Sequence, residues 1–283
     1  MPMADTKQLR KNIFLAAYAG GIGHIASSFS CVEILCALYL EGVMRHNPQN
    51  PGWDGRDRFI MSKGHGALAL YSVLSAAGYF PEEELWSFCR PGSILGGEPN
   101  TLEAPGVEAS TGSLGHGLSI ALGIALALKT DGKPNKVYAL LGDGECQEGS
   151  IWEAVIAAPM FGLGNLIAII DSNQIQKMDF VKNIVGPGSL ERQFAEFGWK
   201  TLRADGHNIH NLVEKLSEVS DKPCCIIADT IKGKGVSLIE NAPTWHWRMP
   251  NKKELKIFMQ ELDIDAEELV RVKGVRNHAA CLH

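Results

Sequence analysis

The sequence predicts an α/β protein built on an open, mostly parallel sheet flanked by helices on both faces. Three observations carry that prediction. Beyond residue 135, short apolar runs at 136–141, 166–170, 199–204 and 224–228 alternate with helical patterns at 151–160 and 209–219. Parallel strands need such crossovers. Two of the runs end in polar clusters, Gly142-Asp143-Gly144-Glu145 and Asp171-Ser172-Asn173-Gln174-Ile175, and strand carboxyl ends are where open α/β sheets bind ligands. Finally, 283 residues at 45% hydrophobic and 21% charged suffice to bury a large core. No composition break or fixed-period repeat divides the chain. A single domain over 1–283 is expected, with a helical N-terminal region and a short C-terminal helix and tail over 265–283.

The earlier elements follow from spacing and punctuation. Leu9, Ile13, Ala16 and Ala17 repeat at helical intervals over 6–19, and the glycines at 20–23 stop that helix. Ser30 with Glu33 three residues later predicts a capping box opening a helix through Leu40. A Pro- and Gly-rich connection spans 47–58. Helical patterns recur at 67–77, 82–88 and 118–129, each after Gly, Pro or Ser. Up to residue 130 the chain reads as helix and loop.

Composition narrows the function. Thirty-two acidic against 27 basic residues give a net charge of −5 without a basic tract, which removes the footprint of nucleic-acid binding. Apolar runs stop short of the ~20 residues of a membrane span, and the amino terminus lacks a signal-type apolar core. A cytoplasmic protein is expected. Seven cysteines, Cys31, Cys36, Cys89, Cys146, Cys224, Cys225 and Cys281, form no CxxC pair, which suits a reducing compartment. Cys224 and Cys225 read as buried small hydrophobes, and Trp53, Trp86, Trp152 and Trp199 as packing residues.

The chemistry concentrates at the two strand ends. A carboxylate, an amide oxygen and a backbone carbonyl are hard ligands for Mg²⁺, with Ca²⁺ as the alternative, and a diphosphate can complete the shell. Asp143, Asn173 and the Ile175 carbonyl are the candidates. Gly142 and Gly144 flank the aspartate and let backbone approach phosphate oxygens. A Gly-Asp-Gly alone is weak; paired with an asparagine thirty residues later at the next strand end, it is strong.

That pairing resembles the signature of thiamine diphosphate enzymes. Gly142-Asp-Gly-Glu-Cys-Gln-Glu-Gly-Ser-Ile-Trp-Glu-Ala and Leu163-Gly-Asn-Leu-Ile-Ala-Ile-Ile-Asp-Ser-Asn look like the transketolase branch. So do Arg56-Asp-Arg-Phe-Ile-Met-Ser-Lys-Gly-His, Pro105-Gly-Val-Glu, Ser110-Thr-Gly-Ser-Leu-Gly-His-Gly-Leu-Ser and Asp229-Thr-Ile-Lys-Gly-Lys-Gly. The resemblance implies a thiamine diphosphate-binding fold, with Asp143, Asn173 and Ile175 holding Mg²⁺ on the cofactor. It implies that Lys63 and His65 face the diphosphate, that Gly112, Ser113 and Leu114 lie near the aminopyrimidine, and that Lys232 and Gln176 are further cofactor-side residues. His24 and His246 match histidines that contact substrate hydroxyls or the cofactor, where imidazoles titrating near neutrality suit acid/base work. Glu148 matches a glutamate at a subunit contact. His116 is the next histidine candidate; His207, His210, His278 and His283 read as surface residues.

Two positions depart from the pattern. Where the family carries Gly-His-Pro, this chain has Gly97-Glu98-Pro99, and where it tends to have Trp-His-Gly or Trp-His-His, this chain has Trp245-His246-Trp247. Glu98, if ionised, disfavours anionic ligands, and Trp247 borders the substrate channel, so both imply altered substrate choice.

The resemblance covers about residues 20–251 and only the first, diphosphate-binding domain of a three-domain enzyme. It implies the α subunit of a split transketolase-like enzyme that moves a two-carbon ketol unit from a ketose phosphate donor. The implied partner is a C-terminal subunit carrying the pyrimidine-binding domain, assembled as an α2β2 heterotetramer, without which the chain catalyses nothing. Two alternatives stay open: a thiamine diphosphate enzyme of another outcome, such as an E1-type subunit passing its two-carbon unit to a lipoyl or carrier thiol, and a noncatalytic relative.

Overall fold

The computed structural model describes residues 4–185, 188–218 and 220–274. Asp5 opens helix α1 (Thr6–Gly20) by accepting the Gln8 N–H, and Gly21, at φ 73°, closes it in a left-handed conformation that glycine adopts freely. Helices α2 (Ile25–Phe29) and α3 (Val32–Tyr39) follow. The predicted capping box does not form: Cys31 precedes α3, Ser30 donates its hydroxyl to Asp171 at 2.6 Å, and Glu33 pairs with Arg10 at 2.8 Å. Charge-assisted bonds in the interior outrank a backbone cap.

Strand β1 (Arg58–Met61), unforeseen within the stretch read as helix and loop, follows the long connection and is buried at all four residues. Helix α4 (Ala67–Ala76) comes next; residues 82–88, expected as helix, wind instead into a 3₁₀ turn at Glu82–Ser87. Then alternate α5 (Gly117–Thr130), β2 (Val137–Gly142), α6 (Gly149–Met160) and β3 (Leu166–Ser172). After the short α7 (Val181–Ile184) and α8 (Leu190–Glu196) come β4 (Lys200–Asp205), α9 (Ile209–Ser217) and β5 (Cys224–Asp229). Helices α10 (Lys252–Glu261) and α11 (Ala266–Gly274) complete the described chain.

All strand pairs are parallel, in the order β1-β2-β3-β5-β4. Alternate side chains serve opposite cores, as a two-residue period requires. Tyr138, Leu140, Ile167, Ile169 and Ile226 join the core built with α1 to α4, α9, α10 and α11. Val137, Ala139, Leu141, Ala168, Ile170 and Ile227 join the core under α5, α6 and α8. Cys224 and Cys225 are buried on opposite faces, while Cys281, His278 and His283 lie outside the described residues. Trp86 and Trp199 pack inside, but Trp53 is 41% exposed because its ring lies over Gly55 on the surface connection. Among the described residues no helix is long and apolar enough to cross a membrane.

Candidate active site

The carboxyl ends of β1, β2, β3 and β5 open onto one cavity of ≈ 320 Å³. Just beyond β2, Asp143 is held by two backbone donors, the N–H groups of Gly144 at 2.7 Å and of Gln174. Burial, and then the neighbouring Asp171, push its carboxyl up to about 6. Asn173, after β3, accepts the Ile175 N–H with Oδ1 at 3.1 Å. The Ile175 carbonyl accepts the Lys232 ammonium at 3.1 Å, so a cation already stands at that oxygen. All three residues line the cavity, as do Gly142 and Gly144. A Cβ at Gly144 would sit 2.7 Å from Cγ of Gln176, so any larger residue there would displace that side chain.

Beneath the cavity floor lies a buried ion pair. Lys63, following β1, points its ammonium at the Asp171 carboxylate and donates to the Ser27 carbonyl at 2.8 Å. Burial alone would lower the lysine and raise the aspartate; each overrides that cost for the other, leaving Lys63 raised and Asp171 lowered. Ser30, Thr230 and Asn173 also donate to Asp171. Lys63 thus lines the cavity with its charge already engaged.

Three imidazoles form the upper wall. His24 precedes α2, His65 sits in the turn after β1, and His246 ends the 3₁₀ turn Pro243–Trp245. Their ring centroids lie 5.2 to 5.7 Å apart. None titrates near neutrality, contrary to the sequence expectation. Burial, then Lys232, hold His24 at about 4 and His246 at about 3; burial, then Lys63, hold His65 well below its ordinary value. Burial and Lys63 likewise lower Lys232 to about 8. The wall is therefore neutral imidazole, each ring offering one donor and one acceptor.

Gly112 and Leu114 line the cavity, with Ser113 exposed between them. Gln176 lines it too. Glu148, exposed, precedes α6 at the rim. His116 and His210 are exposed, but His207 is not the surface residue expected: it bonds Glu33 at 3.0 Å and the Ile231 N–H at 2.8 Å. Glu98 stands behind the cavity wall. Its Oε2 is buried without a partner and would lie 2.4 Å from a Cβ on Gly64, and a Cβ on Gly112, at φ 146°, would lie 3.2 Å from its Cγ. Burial pushes this carboxyl up to about 7, so near neutrality much of it is protonated and the like-charge argument weakens. Trp247, 56% exposed, stacks on His24 at 6.0 Å.

Sequence reasoning missed two buried carboxylates. Asp171 is the hub just described. Glu145 accepts from the Ser62 hydroxyl and from the N–H groups of Gly115 and Gly142, tying the loop before α5 to the end of β2. The signal for Asp171 was an acid at the end of an otherwise apolar strand, and for Glu145 an acid in the turn just beyond one. A second cavity of ≈ 670 Å³ under α7 and α8 shares Asp143 and Gln147 but brings no histidine or lysine.

A parallel sheet with a cavity of convergent polar side chains at its strand ends defines an α/β ligand-binding domain. More particularly, residues 13–278 match the transketolase, thiamine diphosphate binding domain, and the chain belongs to that family. It is 40% identical over 255 residues to one of the subunits of the apulose-4-phosphate transketolase of Actinobacillus succinogenes, covering 89% of this chain and 92% of that one. It is 41% identical over 246 residues to the 6-deoxy-6-sulfo-D-fructose transketolase subunit SqwG of a Clostridium species, covering 86% and 89%. Among solved structures it resembles the transketolase of Campylobacter jejuni, at TM-score 0.83 and 29% identity, over 95% of this chain but 45% of that one. The chain thus spans under half of that transketolase's length.

Proposed function

We propose that the chain is the cofactor-binding subunit of a split transketolase, moving a two-carbon ketol unit from a ketose phosphate to an aldehyde acceptor. One observation carries the reading: the three hard oxygens of Asp143, Asn173 and Ile175 share a cavity with Lys232 and three neutral imidazoles. Family membership supports it, as do relatives of matching length that are themselves named as single subunits. The E1-type and noncatalytic alternatives find no comparable support.

The residues present fit a diphosphate carrying a divalent cation. Ser27 Oγ and Gln176 Nε2 are buried in the cavity lining without partners, and an unpaired buried polar atom is costly unless a ligand meets it. Asp143, Asn173 and the Ile175 carbonyl would hold Mg²⁺, an oxygen-seeking ion, while Gly144 admits the diphosphate to backbone and Lys232 and Gln176 bind its oxygens. When bound, thiamine diphosphate supplies the electron sink for breaking a carbon–carbon bond beside a carbonyl. His24 and His246 then hold or move protons at the substrate hydroxyls. The cofactor's negative charge would raise both imidazoles from their low values toward a useful range. Leu114 and Gly112 exclude water on one side. Glu148 belongs to the contact with a C-terminal partner subunit, in an α2β2 assembly within the cytoplasm. Glu98 and Trp247 shift the choice of sugar, as the unusual sugars named for the relatives would suit.

Calorimetry of thiamine diphosphate binding tests this. Mg²⁺ should be required, and Asp143→Asn should weaken binding more than ~10-fold, since even changes behind a metal's ligands cost that much. Equal affinity with and without Mg²⁺, or in the variant, overturns the metal assignment.

A further inference from the structure

We propose that His207 is a positioning residue: it fixes the loop after β5 so that Lys232 reaches the cavity. The proposal rests on the reading of Lys232 as a cofactor-side cation.

The geometry is specific. Beyond β5 the last bond to the sheet is that of the Thr230 N–H to the Ser172 carbonyl at 3.3 Å, and the next, part-buried N–H needs another acceptor. The Thr230 hydroxyl is tied to Asp171; Gly233 donates to the Ala26 carbonyl at 2.9 Å. Between them the Ile231 N–H is met by Nε2 of His207 at 2.8 Å. An amide can only donate, so Nε2 must be the unprotonated nitrogen and Nδ1 carries the hydrogen given to Glu33 at 3.0 Å. Glu33 is itself clamped by Arg10, both side chains being 6% exposed. One ring orientation satisfies both neighbours.

The turn that bears His207 is also pressed onto the loop it holds. The Gly206 N–H donates to the Asp229 carbonyl at 2.8 Å, and a Cβ at Gly206 would lie 2.4 Å from Cγ2 of Thr230. The residue after Ile231 is Lys232, 2% exposed, whose ammonium meets the Ile175 carbonyl at 3.1 Å and His246 Nδ1 at 3.2 Å. A line of contacts therefore runs from Arg10 through Glu33 and His207 to the lysine, with no contact between His207 and the cavity itself.

A double-variant cycle tests it, reading the affinity of thiamine diphosphate with Mg²⁺ for the full chain together with its co-purifying subunit. His207→Asn keeps a donor for Glu33 but is too short to reach Ile231; His207→Gln can reach it. His207→Asn should weaken binding about fivefold to tenfold, the worth of one hydrogen bond. His207→Gln should restore most of that, and His207→Asn should add nothing in a Lys232→Met background. Parent affinity in His207→Asn, or losses that multiply with those of Lys232→Met, overturn the proposal. So does a lower thermal midpoint in both histidine variants with affinity unchanged, the mark of a purely structural role. Parent affinity in Lys232→Met instead refutes the reading of that lysine, and the positioning claim with it.

Discussion

At the scale of single residues, Glu98 separates what sequence can say from what burial decides. The replacement of an expected histidine by a carboxylate is legible in the sequence; the protonation of that carboxylate is not, because it depends on Gly64 and Gly112 closing over it. With its carboxyl raised from 4.5 to about 7 by burial, Glu98 favours the folded state when protonated. Its contribution is fully present below about pH 4.5 and is lost as pH rises through about 7. The thermal midpoint of Glu98→Gln should therefore fall less than that of the parent between pH 5 and 7.5; parallel curves would contradict the assignment. The histidines teach the same lesson. His24, His65 and His246 are identifiable from their motifs, whereas their suppressed basicity comes from burial and from Lys232 and Lys63, which only the fold brings near. His207 reads as a surface residue in the sequence because nothing local announces a partner 174 positions away.

Elements show where periodicity suffices. Strands β2, β3, β4 and β5 and helices α5, α6 and α9 are legible because each carries several apolar residues at its own period. Four-residue β1 is not: too short to show a period, it is a strand because β2 pairs with it. Helix α10 carries a different signal, the capping box of Asn251 and Glu254, which a search for apolar periods passes over. What joins the strand ends is the Lys63–Asp171 pair, linking the segments after β1 and β5 to β3. Removing one member of a buried pair leaves an uncompensated charge. Asp171→Asn should lower stability by ~3–5 kcal/mol in urea unfolding, and Lys63→Met in the same chain should recover part of the loss. A loss under ~1 kcal/mol, the worth of a surface pair, would show that Asp171 is not the hub.

For the molecule as a whole, the sequence discloses the family and the strand ends, while the cavity needs residues from 24 to 246 gathered by chain topology. The same topology leaves a domain with under half the length of a single-chain transketolase and a cavity open at Glu148 and Gln147, both exposed. A cofactor cavity open to solvent does not exclude water from the reacting carbon, so the proposed split enzyme calls for a partner that closes it. The most direct measurement is reconstitution: two-carbon transfer from a panel of ketose phosphates, with thiamine diphosphate and Mg²⁺, by this chain, by its co-purifying partner and by the two together. Turnover from the mixture alone is the predicted result; turnover by the isolated chain, or none from a mixture that binds the cofactor, would contradict the account.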